Sequence, residues 1–137
     1  NQTSPFFRNS ATNLGTLLLD QCPSFFSQMD AIVMPTLLES FSSIPLESMI
    51  MSKPFFGSDL NFMKDVCGKH CIYFDPLDSK DISFKIYKFF ELSESDRDQW
   101  LREAKTYVSH LPNAKERCLK YLEYFKYLNL GGGGGRD

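Results

Sequence analysis

The apolar residues of this sequence form short continuous runs that alternate with helical patterns, and this alternation most constrains the fold. The clearest run covers residues 31–35, between Asp30 and the stop at Pro35. A short apolar run without polar alternation is typical of a central strand in a parallel sheet, which is buried on both faces. Similar runs cover 54–57 and 71–74. Because helical patterns follow these runs, the sequence predicts an α/β fold, a parallel sheet with helices on both faces.

The rest of the sequence, outside these three apolar runs, predicts one more strand, several helices and the limits of the domain. The additional strand is expected at 13–15, where Gly15 turns the chain. We expect an irregular lead-in over 1–11, one domain over 12–128 and a flexible glycine-rich tail over 129–137. Helical spacing of apolar residues predicts helices over about 21–29, 45–51, 59–66, 80–91 and 114–128. A further helix is expected to begin at a cap, Ser93 or Ser95, and to end at Pro112. Ser79 is expected to cap the 80–91 helix.

The composition agrees with a globular domain and excludes several other classes. The chain has 137 residues, 42% hydrophobic and 23% charged, with a formal net charge of −2. These values exclude a disordered tail, a collagen-like fibre and a strongly basic nucleic-acid binder. No apolar run approaches the roughly 18 residues that a membrane span needs. The chain begins at Asn1 without Met or a signal peptide, so we expect it to be cut from a longer protein.

The four cysteines predict reduced thiols in a cytosolic protein, because their spacing is irregular and a core of this size needs no disulfides. Cys67 and Cys71 flank Gly68 and His70, an arrangement that could suggest a metal site. A structural zinc site usually needs a second pair of ligands, and the sequence has none. We therefore interpret these two cysteines as a pair at a strand edge beside a turn at Gly68.

The loop after the 31–35 run contains the most promising chemistry. Glu39 lies in a loop of small residues, and Glu47 follows in the first turn of the next helix. Residues 40–43 supply backbone N–H groups at the helix N-terminus, which attracts phosphate and other anionic oxygen. Carboxylates beside it can accept hydrogen bonds from sugar hydroxyls. Ligands in open parallel sheets lie at the carboxyl ends of the strands, so this loop predicts a nucleotide-sugar site.

A purely structural interpretation of the same two acids is also open. With Pro45 as the first helical residue, Glu47 is the third, where an acid stabilises the helix through the dipole and a capping box. Glu39 would then be a solvated loop residue. Likewise, the 114–128 helix has lysines beside an aromatic face, which favours a face packed on the core over a membrane-surface helix.

Four motifs follow one another in an order that resembles a known family. They are the strand ending in Pro35-Thr36, the loop from Glu39 through residues 40–42 and Pro45-Leu46 to Glu47, the Lys-Pro strand over 53–58, and the apolar strand that runs into Asp-Pro-Leu-Asp over 72–78. Residues 12–92 are similar, in this order, to the C-terminal domain of retaining GT-B glycosyltransferases, the family-4-like group that uses nucleotide sugars. The resemblance implies a Rossmann-like sheet followed by two closing helices.

The resemblance also implies roles for individual residues. Glu39 would contact the transferred sugar as the catalytic residue, and Glu47 would bind the ribose hydroxyls of the donor nucleotide. Backbone N–H groups of Phe41, Ser42 and Ser43 would face the sugar or diphosphate, and Gly15, Thr16 and Leu17 would border the base. Enzymes of this family usually need no metal in the active site, so we expect no metal and no cofactor besides the nucleotide-sugar co-substrate.

The sequence departs from the family at two points. The glycines that the family has at positions 40 and 42 are serines here, which restrict the backbone and fill space near the donor. The Arg and Lys that neutralise the diphosphate, and the N-terminal domain that binds the acceptor, have no counterpart in this sequence. We therefore expect the chain to need the N-terminal half of the same enzyme as its partner and to be inactive alone.

The leading hypothesis is thus the donor-binding part of a glycosyltransferase. We expect the nucleotide-sugar donor as a partner and no nucleic acid. The enzyme is expected in the cytoplasm. Its association with a membrane, a lipid-linked or peripheral membrane acceptor and the oligomeric state are left open. A non-catalytic interaction module that has lost donor binding is the alternative. A receiver-like regulatory domain ranks low, because Met34-Pro35 ends the central strand where a receiver has a phosphorylatable Asp.

Overall fold

A computed structural model of the protein describes residues 10–40 and 42–131. Within these residues, three short strands form one parallel sheet in the order β1-β2-β3, which confirms the predicted α/β class. The elements in chain order are a 3₁₀ turn Leu19–Gln21, α1 Cys22–Gln28, β1 Ile32–Met34, α2 Ile44–Ile50, β2 Phe55–Ser58, α3 Asn61–Cys67, β3 Ile72–Phe74, α4 Ser79–Phe90, α5 Glu94–Ser109 and α6 Ala114–Gly131.

Helices cover both faces of the sheet, as predicted. Phe55 and Phe56 are fully buried neighbours in β2, and alternation along the strand directs them to opposite faces. Phe55 packs in a cluster that contains Met49 of α2, Met63 of α3 and Ala104 of α5. Phe56 packs in a second cluster with residues of β3 and α4. The central strand β2 is therefore buried on both sides, which explains its continuous apolar sequence. The prediction that the 31–35 run is the central strand is wrong: it forms β1, at the edge of the described sheet, where Val33 is 41% exposed because no described strand covers that side.

Gly57 allows the layers to approach closely at the centre of the sheet. It pairs in register with Met34 on one side and Tyr73 on the other. A β-carbon at this position would lie 2.9 Å from Cε1 of Phe55 and 3.0 Å from Sγ of Cys71. Only a residue without a side chain fits here.

The predicted strand at 13–15 is wrong. The backbone N–H of Gly15 donates a 2.9 Å hydrogen bond to Oδ1 of Asn13, and Gly15 has a φ of 70°. This local turn satisfies the backbone through a side chain, as Asn commonly does. Within the described part of the chain, the sheet ends at β1, so no neighbouring strand is available to pair with 13–15.

Helix starts agree with the sequence in one case and differ in another. The hydroxyl of Ser93 accepts a 3.1 Å hydrogen bond from the N–H of Asp96 and caps α5, as one of the two predicted serines. Ser79 does not cap α4. The carboxylate of Asp78 does so, accepting from the N–H of Lys80 at 2.8 Å, and Ser79 is the first helical residue.

The cysteine pair lies beside a turn, as predicted. Cys67 ends α3, Gly68 follows with a φ of 54°, and Cys71 precedes β3. All four cysteines of the chain are free thiols. Burial and the neighbouring Cys67 raise the pKa of the Cys71 thiol, so this thiol stays protonated at neutral pH.

The C-terminal helix differs from its prediction. The expected core face of α6 is exposed, as Tyr121 at 64% and Phe125 at 56% show. The helix also continues to Gly131, past the predicted end at 128. Residues 1–9 of the lead-in predicted over 1–11, and residues 132–137 of the predicted tail, lie outside the described residues. No helix in the described ranges has the length and apolar character needed to cross a membrane.

Candidate functional site

The candidate site lies at the edge where the three parallel strands end. The first loop is held there by Ser58, the last residue of β2, whose hydroxyl donates a 2.7 Å hydrogen bond to the carbonyl oxygen of Thr36. The hydroxyl oxygen of Thr36 is itself buried and has no hydrogen-bond partner among the described residues. The parallel topology thus brings the loop after β1 against the end of β2, as the sequence predicted.

Glu47 lines a cavity between α1 and α2. It is the fourth residue of α2, because the helix begins at Ile44 rather than at Pro45. Its side chain is half-buried and lines, with Ser43, a cavity of about 560 Å³. The other walls are mainly apolar and come from the 3₁₀ turn, α1 and the end of α2: Leu19, Cys22, Pro23, Phe26, Ile50 and Met51.

No capping box accounts for Glu47. The Ser43 side chain accepts no hydrogen bond at the start of α2. The nearest cap is Ser42, whose hydroxyl accepts a 3.3 Å hydrogen bond from the N–H of Ile44. The Glu47 carboxylate has no hydrogen-bond partner among the side chains in the described ranges, although its position in the first turn still favours the helix dipole.

Glu39 lies in a different place from Glu47. It lines a cavity of about 20 Å³, together with Ser40, Ser42 and Pro45. The opposite wall is apolar and belongs to α3: Phe62, Met63 and Val66. This volume is close to the space of a single water molecule. The two acids of the motif therefore do not share a cavity in this structure.

The loop predicted to border the base lies beside α1. Gly15 and Leu17 line a third cavity of about 400 Å³, which Phe25 closes from α1. Thr16 is exposed and is not part of this wall. Phe41 lies outside the described residues. The cavities of Gly15 and Glu47 thus lie against the same helix, and α1 contributes different residues to each.

A fourth cavity contains acids to which the sequence interpretation gave no role. It measures about 440 Å³ and lies beyond the end of β3, lined by Asp59, Asp75 and Asp81 together with Lys85. The backbone N–H of Asp75 donates a 2.8 Å hydrogen bond to the Asp81 carboxylate. The sequence did contain a signal for this cavity: Asp59 and Asp75 directly follow β2 and β3, and the carboxyl ends of parallel strands lie at the same edge of a sheet.

The Lys-Pro motif has a structural role that supports the Glu47 cavity. The ammonium of Lys53 donates a 2.9 Å hydrogen bond to the carbonyl oxygen of Ser27, near the end of α1. The hydroxyl of Ser48 in α2 donates a 2.9 Å hydrogen bond to the carbonyl oxygen of Lys53. Lys53 therefore connects α1 and α2, which form the two walls of this cavity.

No model of a known protein family matches the chain, and the sequence matches no curated protein significantly. Within the described ranges, no group of three or more His, Cys, Asp and Glu side chains is arranged to hold a metal ion.

Proposed function

We propose that the chain is the donor-binding part of a glycosyltransferase that transfers a sugar from a nucleotide sugar to an acceptor, with retention of configuration. The observation that carries the proposal is the placement of Glu47. Glu47 is half-buried in the first turn of the helix that follows β1, and it lines a mainly apolar cavity between α1 and α2. The ordered motifs described above support the same assignment.

The Glu47 cavity has the chemistry that a nucleoside needs. The rings of a base can lie against apolar side chains such as Phe26 and Pro23. A carboxylate can accept two hydrogen bonds from neighbouring ribose hydroxyls, and hydrogen bonds to a charged group are about twice as strong as neutral ones. The hydroxyl of Ser43 lines the same cavity and can donate to a phosphate oxygen.

Nucleotide binding is tested by a thermal-shift titration with UDP, GDP and ADP, followed by calorimetry for the nucleotide that stabilises the protein. We expect one of the three to raise Tm in a saturable way. Glu47→Ala should weaken its binding by about tenfold or more, since a hydrogen-bonded charge contributes roughly 1.5–3 kcal/mol. Equal affinity of the variant and the wild type for that nucleotide would contradict the role of Glu47.

Glu94→Ala is the matched control. Glu94 also lies in the first turn of a helix, α5, and it is exposed. Its removal costs a similar dipole stabilisation without changing the Glu47 cavity. If Glu94→Ala weakens nucleotide binding as much as Glu47→Ala does, the effect comes from stability rather than from contact with the ribose.

The alternative function is a non-catalytic interaction module that has lost donor binding. The observation that favours it is the cavity of Glu39, whose volume has room for about one water molecule and is too small for a sugar. Transfer requires the Glu39 carboxylate to face the donor and the N-terminal half of the enzyme to bring the acceptor. A transfer assay with labelled nucleotide sugars on the full-length enzyme distinguishes the two functions. Loss of activity in Glu39→Gln supports catalysis. If neither the chain nor the full-length enzyme binds a nucleotide, the interaction module is supported.

A further inference from the structure

Both histidines of the chain line one cavity on the opposite edge of the sheet from Glu47. His70 lies in the loop that leads into β3, and His110 follows the end of α5. Together with Lys69 and Arg102 they line a cavity of about 540 Å³. The loop into β3 lies at the amino ends of the strands, whereas the candidate donor site lies at their carboxyl ends. The two cavities share no residue.

The wall of this cavity is rigid on the side of His70. The imidazole is 8% exposed and stacks on the ring of Tyr107, with centroids 4.7 Å apart and an angle of 28° between the planes. The hydroxyl of Tyr107 donates a 2.9 Å hydrogen bond to the carbonyl oxygen of Val66 at the end of α3. Within the described ranges, the side chain of His70 makes no hydrogen bond, and the residue lines the cavity.

A hydrogen bond fixes the ring of His110, which also lines the cavity. Its Nδ1 lies 2.7 Å from the carbonyl oxygen of Thr106. A carbonyl can only accept, so Nδ1 carries the proton and the tautomer is settled by this contact. Nε2 is then the ring nitrogen that this contact leaves free to bind a ligand. This hydrogen bond keeps the ring oriented beside the turn that ends α5.

Positive charge exceeds negative charge around the cavity. Lys69 and Arg102 form no ion pair among the described residues. Glu103 is the one acid that lines the cavity. Its carboxylate accepts a 3.1 Å hydrogen bond from Nε2 of Gln99, which holds it along α5. The wall of this open cavity thus carries a guanidinium, an ammonium and two imidazoles.

We propose that this basic cavity binds a phosphate group, carried by free phosphate or by a small phosphate monoester. The Arg102 guanidinium can donate two parallel hydrogen bonds to phosphate oxygens, and the Lys69 ammonium supplies a further charge. The His70 imidazole supplies a further donor when it is protonated, and the His110 imidazole lines the same wall. The lining residues all carry polar or charged groups, in contrast to the mainly apolar residues around Glu47.

Binding should strengthen as pH falls. Burial and, to a lesser extent, the charge of Lys69 lower the pKa of His70, and Glu103 opposes this shift. His70 is therefore mainly neutral at pH 7 in the free protein, and Arg102, Tyr107 and His110 are the other titratable or charged groups on the cavity wall. A bound dianion favours the protonated imidazole, so proton uptake accompanies binding.

The test is a titration with inorganic phosphate, followed through the imidazole C2–H resonances in proton NMR. Since the chain has two histidines, two resonances report on the site. Sodium chloride at equal ionic strength corrects for screening. We expect saturable shifts of both resonances with phosphate, and tighter binding at pH 6 than at pH 8. A shift that rises linearly with salt and is the same in chloride would overturn the proposal.

Two exposed residues of α5 provide a matched pair of variants. Arg102→Gln removes the fork of donors and should weaken phosphate binding by about tenfold. Lys105→Gln removes a charge from the same helix at a position outside the cavity, and it should leave affinity within about twofold of the wild type. Equal effects of the two variants would show nonspecific attraction and contradict the site.

Glycerol 3-phosphate distinguishes the two forms of ligand. If it binds more tightly than inorganic phosphate, the natural ligand is a small monoester; if inorganic phosphate binds more tightly, the ligand is the free ion. Binding of neither overturns the proposal. Glu47→Ala should bind phosphate like the wild type, because Glu47 lies at the other edge of the sheet.

Discussion

The ammonium of Lys53 donates a 2.9 Å hydrogen bond to the carbonyl oxygen of Ser27, 26 positions earlier in the chain. The last carbonyl groups of a helix have no partner within the helix, and a cation near the C-terminus also interacts favourably with the helix dipole. Lys53 therefore holds α1 against the segment that enters β2. This contact gives the Lys-Pro motif a structural function that is independent of any ligand.

Replacement of Lys53 by Met should lower the free energy of unfolding by about 0.5–1.5 kcal/mol, since the stem is retained and one hydrogen bond to a carbonyl is lost. Urea unfolding followed by circular dichroism measures the change. Lys105→Met, at an exposed position of α5, is the control and should stay within about 0.5 kcal/mol of the wild type. Equal stability of both variants would show that the Ser27 contact contributes nothing.

A methyl group at Gly57 should destabilise the core. Gly57→Ala places a β-carbon about 3.0 Å from Sγ of Cys71 and from Cγ of Met63. Overpacking of this kind typically costs about 1–3 kcal/mol. Equilibrium denaturation measures the loss. The double variant Gly57→Ala/Cys71→Ala removes one of the close contacts, so it should be less destabilised than the sum of the two single variants. Strict additivity would mean that the strain lies elsewhere.

Two phenylalanines of α4 should differ strongly in their contribution to stability. Phe89 is 5% exposed and meets Phe56 edge to face, with ring centroids 5.7 Å apart. Phe84 lies on the same helix and is 53% exposed. Phe89→Ala should cost about 3–5 kcal/mol, whereas Phe84→Ala should cost less than about 1 kcal/mol. Thermal and urea unfolding of both variants test this order, and similar losses would contradict the burial of Phe89.

Stability should decline as pH falls below the ordinary pKa of histidine, 6.5. The pKa of His70 is lower in the folded protein, mainly because burial disfavours the charged ring. Between the folded and unfolded pKa values the unfolded chain binds more protons, so stability is fully present above about 6.5 and falls as the solution becomes more acidic. Urea midpoints measured from pH 8 to pH 5 in a buffer without phosphate record this trend.

His70→Gln removes the titrating group and should flatten the acid side of this profile. His110→Gln is the control, because that ring is exposed and lies at the end of α5. The comparison concerns slopes with pH rather than absolute stabilities, so a general loss of stability in His70→Gln does not obscure it. An unchanged slope in that variant would assign the pH dependence to other groups.

Sequence patterns predicted the central strand β2 well, because burial on both faces leaves a direct record. They did not show that the 31–35 run lies at the edge of the described sheet, where Val33 is 41% exposed. Phe55 and Phe56 are both fully buried, and no polar residue could be tolerated at either position. The predicted strand at 13–15 failed for the opposite reason. Asn13 and Gly15 form a turn through a local hydrogen bond, and a strand exists only where a neighbour is available to pair with it.

The candidate site was only partly predictable. The loop of Glu39 and Glu47 was recognisable from its spacing and from its position after β1. That Glu39 faces Phe62 and Val66 of α3, while Glu47 faces α1, could not be predicted, because those walls come from distant parts of the chain. The basic cavity was missed for the same reason: His70 and His110 are 40 positions apart and meet only through packing of α5 beside the loop into β3.

Local sequence thus determined the alternation of strands and helices, since hydrophobic periodicity and chain-breaking residues act within a few positions. It also determined the capping of α5 by Ser93 and the tight turn at Gly68. Tertiary packing alone decided which side chains share a cavity and left Tyr121 and Phe125 of α6 exposed despite their apolar pattern. The physical reason is that burial and cavity walls depend on contacts between residues far apart in the chain, and these contacts exist only once the layers have packed.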